Sequence, residues 1–128
     1  MTPSERNAAA VVALILIASL GIAFAAETAA PPLSAPAVSS STHPPGVWVK
    51  NQTVKVSWQP LAGAQRYQYA LDSNAETVPG SANSTKQTSL LLNSVKDGIR
   101  HFHVAACNSD GCGPASHYLV RVDTTPPL

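Results

Sequence analysis

Charge is scarce in this chain. Eight Lys and Arg stand against seven Asp and Glu in 128 residues, a formal net charge of +1. So even a balance carries no basic footprint for nucleic acid, no polybasic patch for anionic lipid and no acidic tail. Cysteine is limited to Cys107 and Cys112, which leaves a Cys-based zinc site two ligands short. Aromatics are few: two Trp, three Tyr and two Phe. Catalytic signatures are missing too, with no nucleophile elbow, phosphate loop or zinc-protease helix. The carboxylates Asp72, Glu76, Asp97, Asp110 and Asp123 are scattered over turns and strand ends. After residue 27 no stretch sustains helical periodicity. These absences point away from an enzyme and imply no cofactor.

The longest apolar run lies at the N-terminus. A polar start, MTPSERN, is followed by AAAVVALILIASLGIAFAA without a charge. Ala23 and Ala25 flank Phe24 in an A-x-A pattern that suits cleavage of a secretory signal. The run also approaches the ~20 residues that span a hydrocarbon core. Residues 1–26 therefore read as a signal peptide, with a membrane anchor over 8–26 as the alternative. Both place the rest of the chain outside the cytoplasm, periplasmic or secreted, with membrane contact only through an uncleaved N-terminus.

Residues 27–45, ETAAPPLSAPAVSSSTHPP, hold five prolines and a Ser/Thr run. Proline lacks a backbone donor, and the segment has few large apolar groups to offset ordering entropy. It reads as a disordered tether, either a stalk or the leader of a secreted protein.

From Val47 onward the pattern changes to short alternating runs, as half-buried strands show. The expected strands are Val47–Lys50, Thr53–Trp58, Gln65–Asp72, a short one near Thr77–Val78, Thr88–Leu92, Ile99–Cys107 and Ser116–Asp123. The expected inward faces are Val54, Val56 and Trp58; Tyr67, Tyr69 and Leu71; Phe102, Val104 and Ala106; and Tyr118, Val120 and Val122. Seven short strands with turn signals between them predict an all-β, immunoglobulin-like sandwich over residues 46–123, with 124–128 as a C-terminal tail.

Trp58, Tyr67, Leu90, Leu92, Val95, Gly98, Phe102, Val104, Ala106, Asn108, Gly111, Gly113, Pro114 and Ser116 stand where a fibronectin type III domain carries its core and turn residues. The chain resembles that family over about residues 45–123. The resemblance implies a module that binds or spaces rather than catalyses. One position departs from it: the tyrosine expected at the start of the second-last strand is Arg100. The closing DTTPP is similar to the element that joins sandwich repeats in exported bacterial proteins, and reads here as the tail of a single module.

Cys107 and Cys112 bracket the last hairpin turn, and in an exported chain this spacing predicts a disulfide. On the chain-entropy view so short a loop gains roughly 2 kcal/mol. The bridge would stiffen the loop between the last two strands, Asn108–Pro114. Its residues Asn108, Ser109, Asp110 and Gly111 are the expected contact surface for an unidentified protein or cell-surface ligand.

Two alternatives remain open. His101 and His103 share one strand face, opposite Phe102 and Val104 and hence expected to be exposed, and His117 on the next strand could join them. Three imidazoles would suit zinc or copper, although no carboxylate is evidently placed to orient them. The other alternative is a carbohydrate-binding module. Trp58 falls in the core pattern, so Trp48 is the one tryptophan available as a sugar platform.

Overall fold

The computed structural model describes residues 32–126. The expected signal or anchor helix, residues 27–31 of the expected tether and residues 127–128 lie outside the described residues.

The alternating runs form strands because each presents one apolar row to a common interior. Among the described residues there are eight: β1 (Val38–Ser40), β2 (Trp48–Val49), β3 (Val54–Trp58), β4 (Arg66–Asp72), β5 (Ser84–Thr85), β6 (Ser89–Leu92), β7 (Gly98–Asn108) and β8 (Gly111–Val122). They make two sheets, ordered β1-β3-β6 and β2-β8-β7-β4-β5. All pairings are antiparallel except β2 with β8. The all-β sandwich is the architecture expected from the sequence.

Between the sheets lie Val54, Val56 and Trp58 of β3, Phe102, Val104 and Ala106 of β7, and Tyr118, Val120 and Val122 of β8, all buried. Tyr67 joins them, and Tyr69 and Leu71 pack against the cluster partly buried. Trp58 is the hub. Its ring meets Tyr67 edge-on at 5.4 Å and stacks near Phe102 at 6.0 Å. Burying each such side chain is worth roughly 1.5–3 kcal/mol. Tyr67 also accepts from the Leu61 N–H at 3.1 Å, which fixes the turn after β3.

The expected tether is largely part of the domain. From residue 32 the segment lies on the sandwich: Leu33 and Pro36 are buried, and Val38–Ser40 pairs with β3. Proline's fixed φ is already extended, and an edge strand can tolerate the missing donors. Composition alone therefore did not separate a tether from an edge strand. The strand expected at Val47–Lys50 is present as β2 (Trp48–Val49), at the edge of the five-stranded sheet.

Between β1 and β2 the chain crosses from one sheet to the other. Ser40 Oγ donates to the Lys55 carbonyl and accepts from the N–H groups of Thr42 and His43. His43 is buried, with Nε2 2.8 Å from the Asn51 carbonyl and Nδ1 2.7 Å from the Thr42 hydroxyl. The Tyr118 hydroxyl donates to the His43 carbonyl at 2.7 Å. The Ser/Thr run is thus a hydrogen-bonded corner.

Three further boundaries differ from expectation. The short strand near Thr77–Val78 is found instead at Ser84–Thr85. The last strand begins at Gly111 rather than Ser116, because the hairpin turn takes only Ser109 and Asp110. The tail is tied down at its start: Asp123 N–H donates to the Val49 carbonyl and Thr124 bonds the Asp97 carboxylate.

Leu33 rests on the last hairpin. A Cβ added at Gly113 would lie 2.6 Å from the Leu33 carbonyl oxygen, a backbone atom that cannot rotate away. Gly113→Ala should destabilise the domain by about 1–3 kcal/mol, the usual range for overpacking, and expose residues 32–37 to proteolysis. Thermal melting and limited digestion read both effects. A chain beginning at Pro32 should melt cooperatively. One beginning at Gly46 loses β1, Leu33 and His43, and should melt at a clearly lower temperature or show no cooperative transition.

Candidate functional site

The outer face of the five-stranded sheet gathers most of the candidate residues in cross-strand rows. Trp48, Arg121 and Ile99 stand side by side across β2, β8 and β7. Leu119, His101 and Asp72 form the next row, and His117, His103 and Ala70 the one after it. Cys112, Cys107 and Arg66 close the series at the hairpin end.

His117 owes its place to an irregularity. The β7–β8 register shifts between Ala105 and Cys107, opposite Gly113 and Pro114. Cys107 faces Cys112, but beyond the shift His103 faces His117 rather than Ser116. An extra residue in one strand is a β-bulge, and proline is tolerated there because a ladder bond is already lost. Without the shift His117 would turn to the other face.

The three histidines lie on one face of the sheet, but only His103 and His117 are bonded to each other, and His103 is fully buried rather than exposed as expected. Its Nε2 lies 2.8 Å from Asp72 Oδ1 and its Nδ1 lies 2.6 Å from His117 Nδ1. An ionised carboxylate only accepts, so His103 donates from Nε2. The Nδ1···Nδ1 bond then needs one proton between the two rings. Both nitrogens of His103 are thereby engaged. His101 lies beside it, ring centroids 6.3 Å apart. No group of three metal-ligating side chains converges among the described residues. The cluster is a hydrogen-bonded chain, Asp72–His103–His117.

Asp72 is the residue that sequence reasoning missed, since it does supply an orienting carboxylate. It is paired with His101 across β4 and β7 and reaches the neighbouring His103 on the diagonal. The signal was its position as the last outward residue of an alternating strand. Thr77 donates to its Oδ2 at 2.6 Å, and Asn74 N–H to its Oδ1 at 3.0 Å. The Thr77 hydroxyl above all holds its carboxyl below the usual carboxylate value; burial opposes it next in size, and His103 and the Asn74 N–H add to the lowering.

Cys107 and Cys112 are joined in a disulfide across the last hairpin, as expected. The turn it closes is small. Asn108 is partly buried, and its side chain accepts from the Asp110 N–H at 2.8 Å, shaping the turn. Ser109, Asp110 and Gly111 are exposed. The expected contact loop Asn108–Pro114 is mostly strand.

Trp48 is 50% exposed, on a strand at the sheet's edge. The Arg121 guanidinium lies 5.5 Å from its ring centroid. Val47 and Ile99 nearby are also exposed. Arg100, at the position expected for tyrosine, serves the same corner differently. It donates from Nη2 to the Asp97 carbonyl at 3.0 Å. Gly98 between them has φ +118, a conformation that side-chain-bearing residues rarely adopt.

Residues 47–126 match the family described as chitinase A, N-terminal domain. Among solved structures the chain is similar to the fn3 domain of human collagen alpha-1(XX) chain, with 21% identity and a TM-score of 0.53, covering 78% of this chain and 94% of that one. It is also similar to the twitchin kinase region from C. elegans, with 16% identity and a TM-score of 0.50 over 76% of this chain. There it spans only 18% of the larger protein. At these identities the likeness shows the fibronectin type III fold. No curated protein sequence matches the chain.

Asp72 gives the domain an acid-sensitive element. A carboxyl held below its unfolded value, near 3.8, stabilises the folded state above that pH and loses the contribution as pH falls through its folded value. Melting temperatures of the native protein and Asp72→Asn should differ by a constant amount above about pH 5 and converge below about pH 4. A gap that stays constant down to pH 2 would show that the ionised carboxylate is not what stabilises the face.

Proposed function

The chain belongs to the chitinase A N-terminal domain family, and on that premise we propose that it is an exported, non-catalytic module that binds polysaccharide. The observation that carries the reading is Trp48. An indole half exposed at a sheet edge, with the Arg121 guanidinium over one ring face at 5.5 Å, offers its remaining apolar surface next to a donor group. Sugar rings present C–H faces that stack on such a surface, while their hydroxyls need polar neighbours. The family's name supplies the sugar type, since a chitinase acts on a polymer of N-acetylglucosamine.

The hairpin turn supports a partner less well. Two residues and a disulfide leave little surface there. Export rests on the N-terminal segment and on the oxidised cysteine pair, which persists outside reducing compartments.

Trp48→Ala should reduce retention on insoluble chitin at least about tenfold, as loss of a central aromatic anchor does. Ser109→Ala with Asp110→Ala should leave it unchanged. Undiminished retention of Trp48→Ala would overturn the reading. Export is read by the intact mass of native protein under non-reducing conditions. Oxidised thiols, with either a start near Ala26 or a full-length membrane-bound species, fit it; a soluble, reduced, full-length cytoplasmic species overturns it.

A further inference from the structure

At the end of the sandwich where β4 stops and β7 starts, an open cleft of about 390 Å³ lies between Leu71–Ser73 and the β6–β7 connection. Its polar lining is Asp72, Ser73, Asn93, Ser94, Lys96 and Arg100. Ser94 is the non-glycine residue with positive φ among the described residues, at 56°. Such conformations persist where the surroundings impose them, often at binding sites.

The charges in the cleft are unequal. Asp72 turns its carboxylate to Thr77, Asn74 and His103. Among the described residues Arg100 makes one side-chain hydrogen bond, to the Asp97 carbonyl, of the five its N–H groups can make. Among the described residues no carboxylate lies within ion-pair distance of Lys96 or Arg100. Two cations and several neutral hydrogen-bonding groups therefore face an open space large enough for a sugar unit. The cleft also lies at the same end as Trp48. Ile99 shares a row with Trp48 and Arg121, and Arg100, the next residue along β7, faces the other side of the sheet, so a ligand joining the two passes over the strand end.

We propose that this cleft binds the acidic group of a polysaccharide held on Trp48, so that the module prefers an N-acetylated polymer bearing carboxylates to neutral chitin. A planar guanidinium matches a carboxylate with two parallel bonds, and an adjacent ammonium adds charge without fixing direction. The inference rests on the reading of Trp48 as the sugar platform.

The test measures retention of the full chain on three insoluble polymers: chitin, purified bacterial cell-wall glycan, and the same glycan with its carboxylates amidated. The expected result is about three- to tenfold stronger retention on native glycan than on amidated glycan at low salt, the scale of exposed charge pairs. Added salt should erase the difference. Lys96→Gln, an exposed position, should lower binding to native glycan about threefold and leave chitin binding and the melting temperature unchanged. Arg100→Lys should also weaken binding to native glycan, since it keeps the charge and loses the fork. Equal retention on native and amidated glycan, with Trp48-dependent chitin binding intact, overturns the cleft and leaves the platform standing. Retention on none of the three overturns both.

Discussion

The crossing of the first strand between the sheets is the constraint on which the rest of the domain depends, and His43 holds it. The imidazole is buried, with one nitrogen on the Asn51 carbonyl and the other on the Thr42 hydroxyl. Its own carbonyl accepts from Tyr118 on β8. Each such bond contributes only about 1 kcal/mol net, but a buried polar group left unpaired costs more than that. The crossing is therefore held in one arrangement. It lets β1 pair along the edge of β3 and β2 pair with Arg121 and Val122 at the end of β8, which shortens the open edge of each sheet. It also delivers Trp48 to the outer face of the five-stranded sheet.

How much of this was readable from the chain follows from the range of the interactions. Inward rows were plain wherever a strand alternates cleanly, as in Val54–Val56–Trp58 and Phe102–Val104–Ala106, because the side-chain period of two needs no partner to be seen. The disulfide was plain because both cysteines sit on one hairpin. The expected tether failed for a physical reason. Proline and serine are the residues of a solvated linker, and equally those of an edge strand that ends in a hydrogen-bonded corner. Only Leu33, Pro36 and His43 distinguish the two: Leu33 and Pro36 by what they touch 30 or more residues away, and His43 by its bonds across the corner to Asn51 and Tyr118.

The outer face shows the same limit at finer scale. The two-residue turn and the cysteine pair set one register, and the bulge at Gly113–Pro114 resets it by a residue. That single displacement decides whether His117 meets His103 or faces the core. Bulges depend on the pairing of two strands, so a strand read alone does not reveal one. Asp72 is similar. Its partner His103 lies 31 positions away and on the diagonal of the ladder, a relation visible only once β4 and β7 are in register.

Asp72 then links the two halves of the functional argument. Its carboxylate faces the sheet's outer surface, where Thr77, Asn74 and His103 occupy it, while its backbone borders the cleft with Arg100 and Lys96. The three donors satisfy the carboxylate on that face, and the Thr77 hydroxyl is the strongest of them in keeping the group ionised. The histidine chain thus helps confine a negative charge to the outer face. In consequence the cleft beside it stays cationic, and selection for an acidic ligand at one end of the sandwich becomes a property of hydrogen bonds made on another surface.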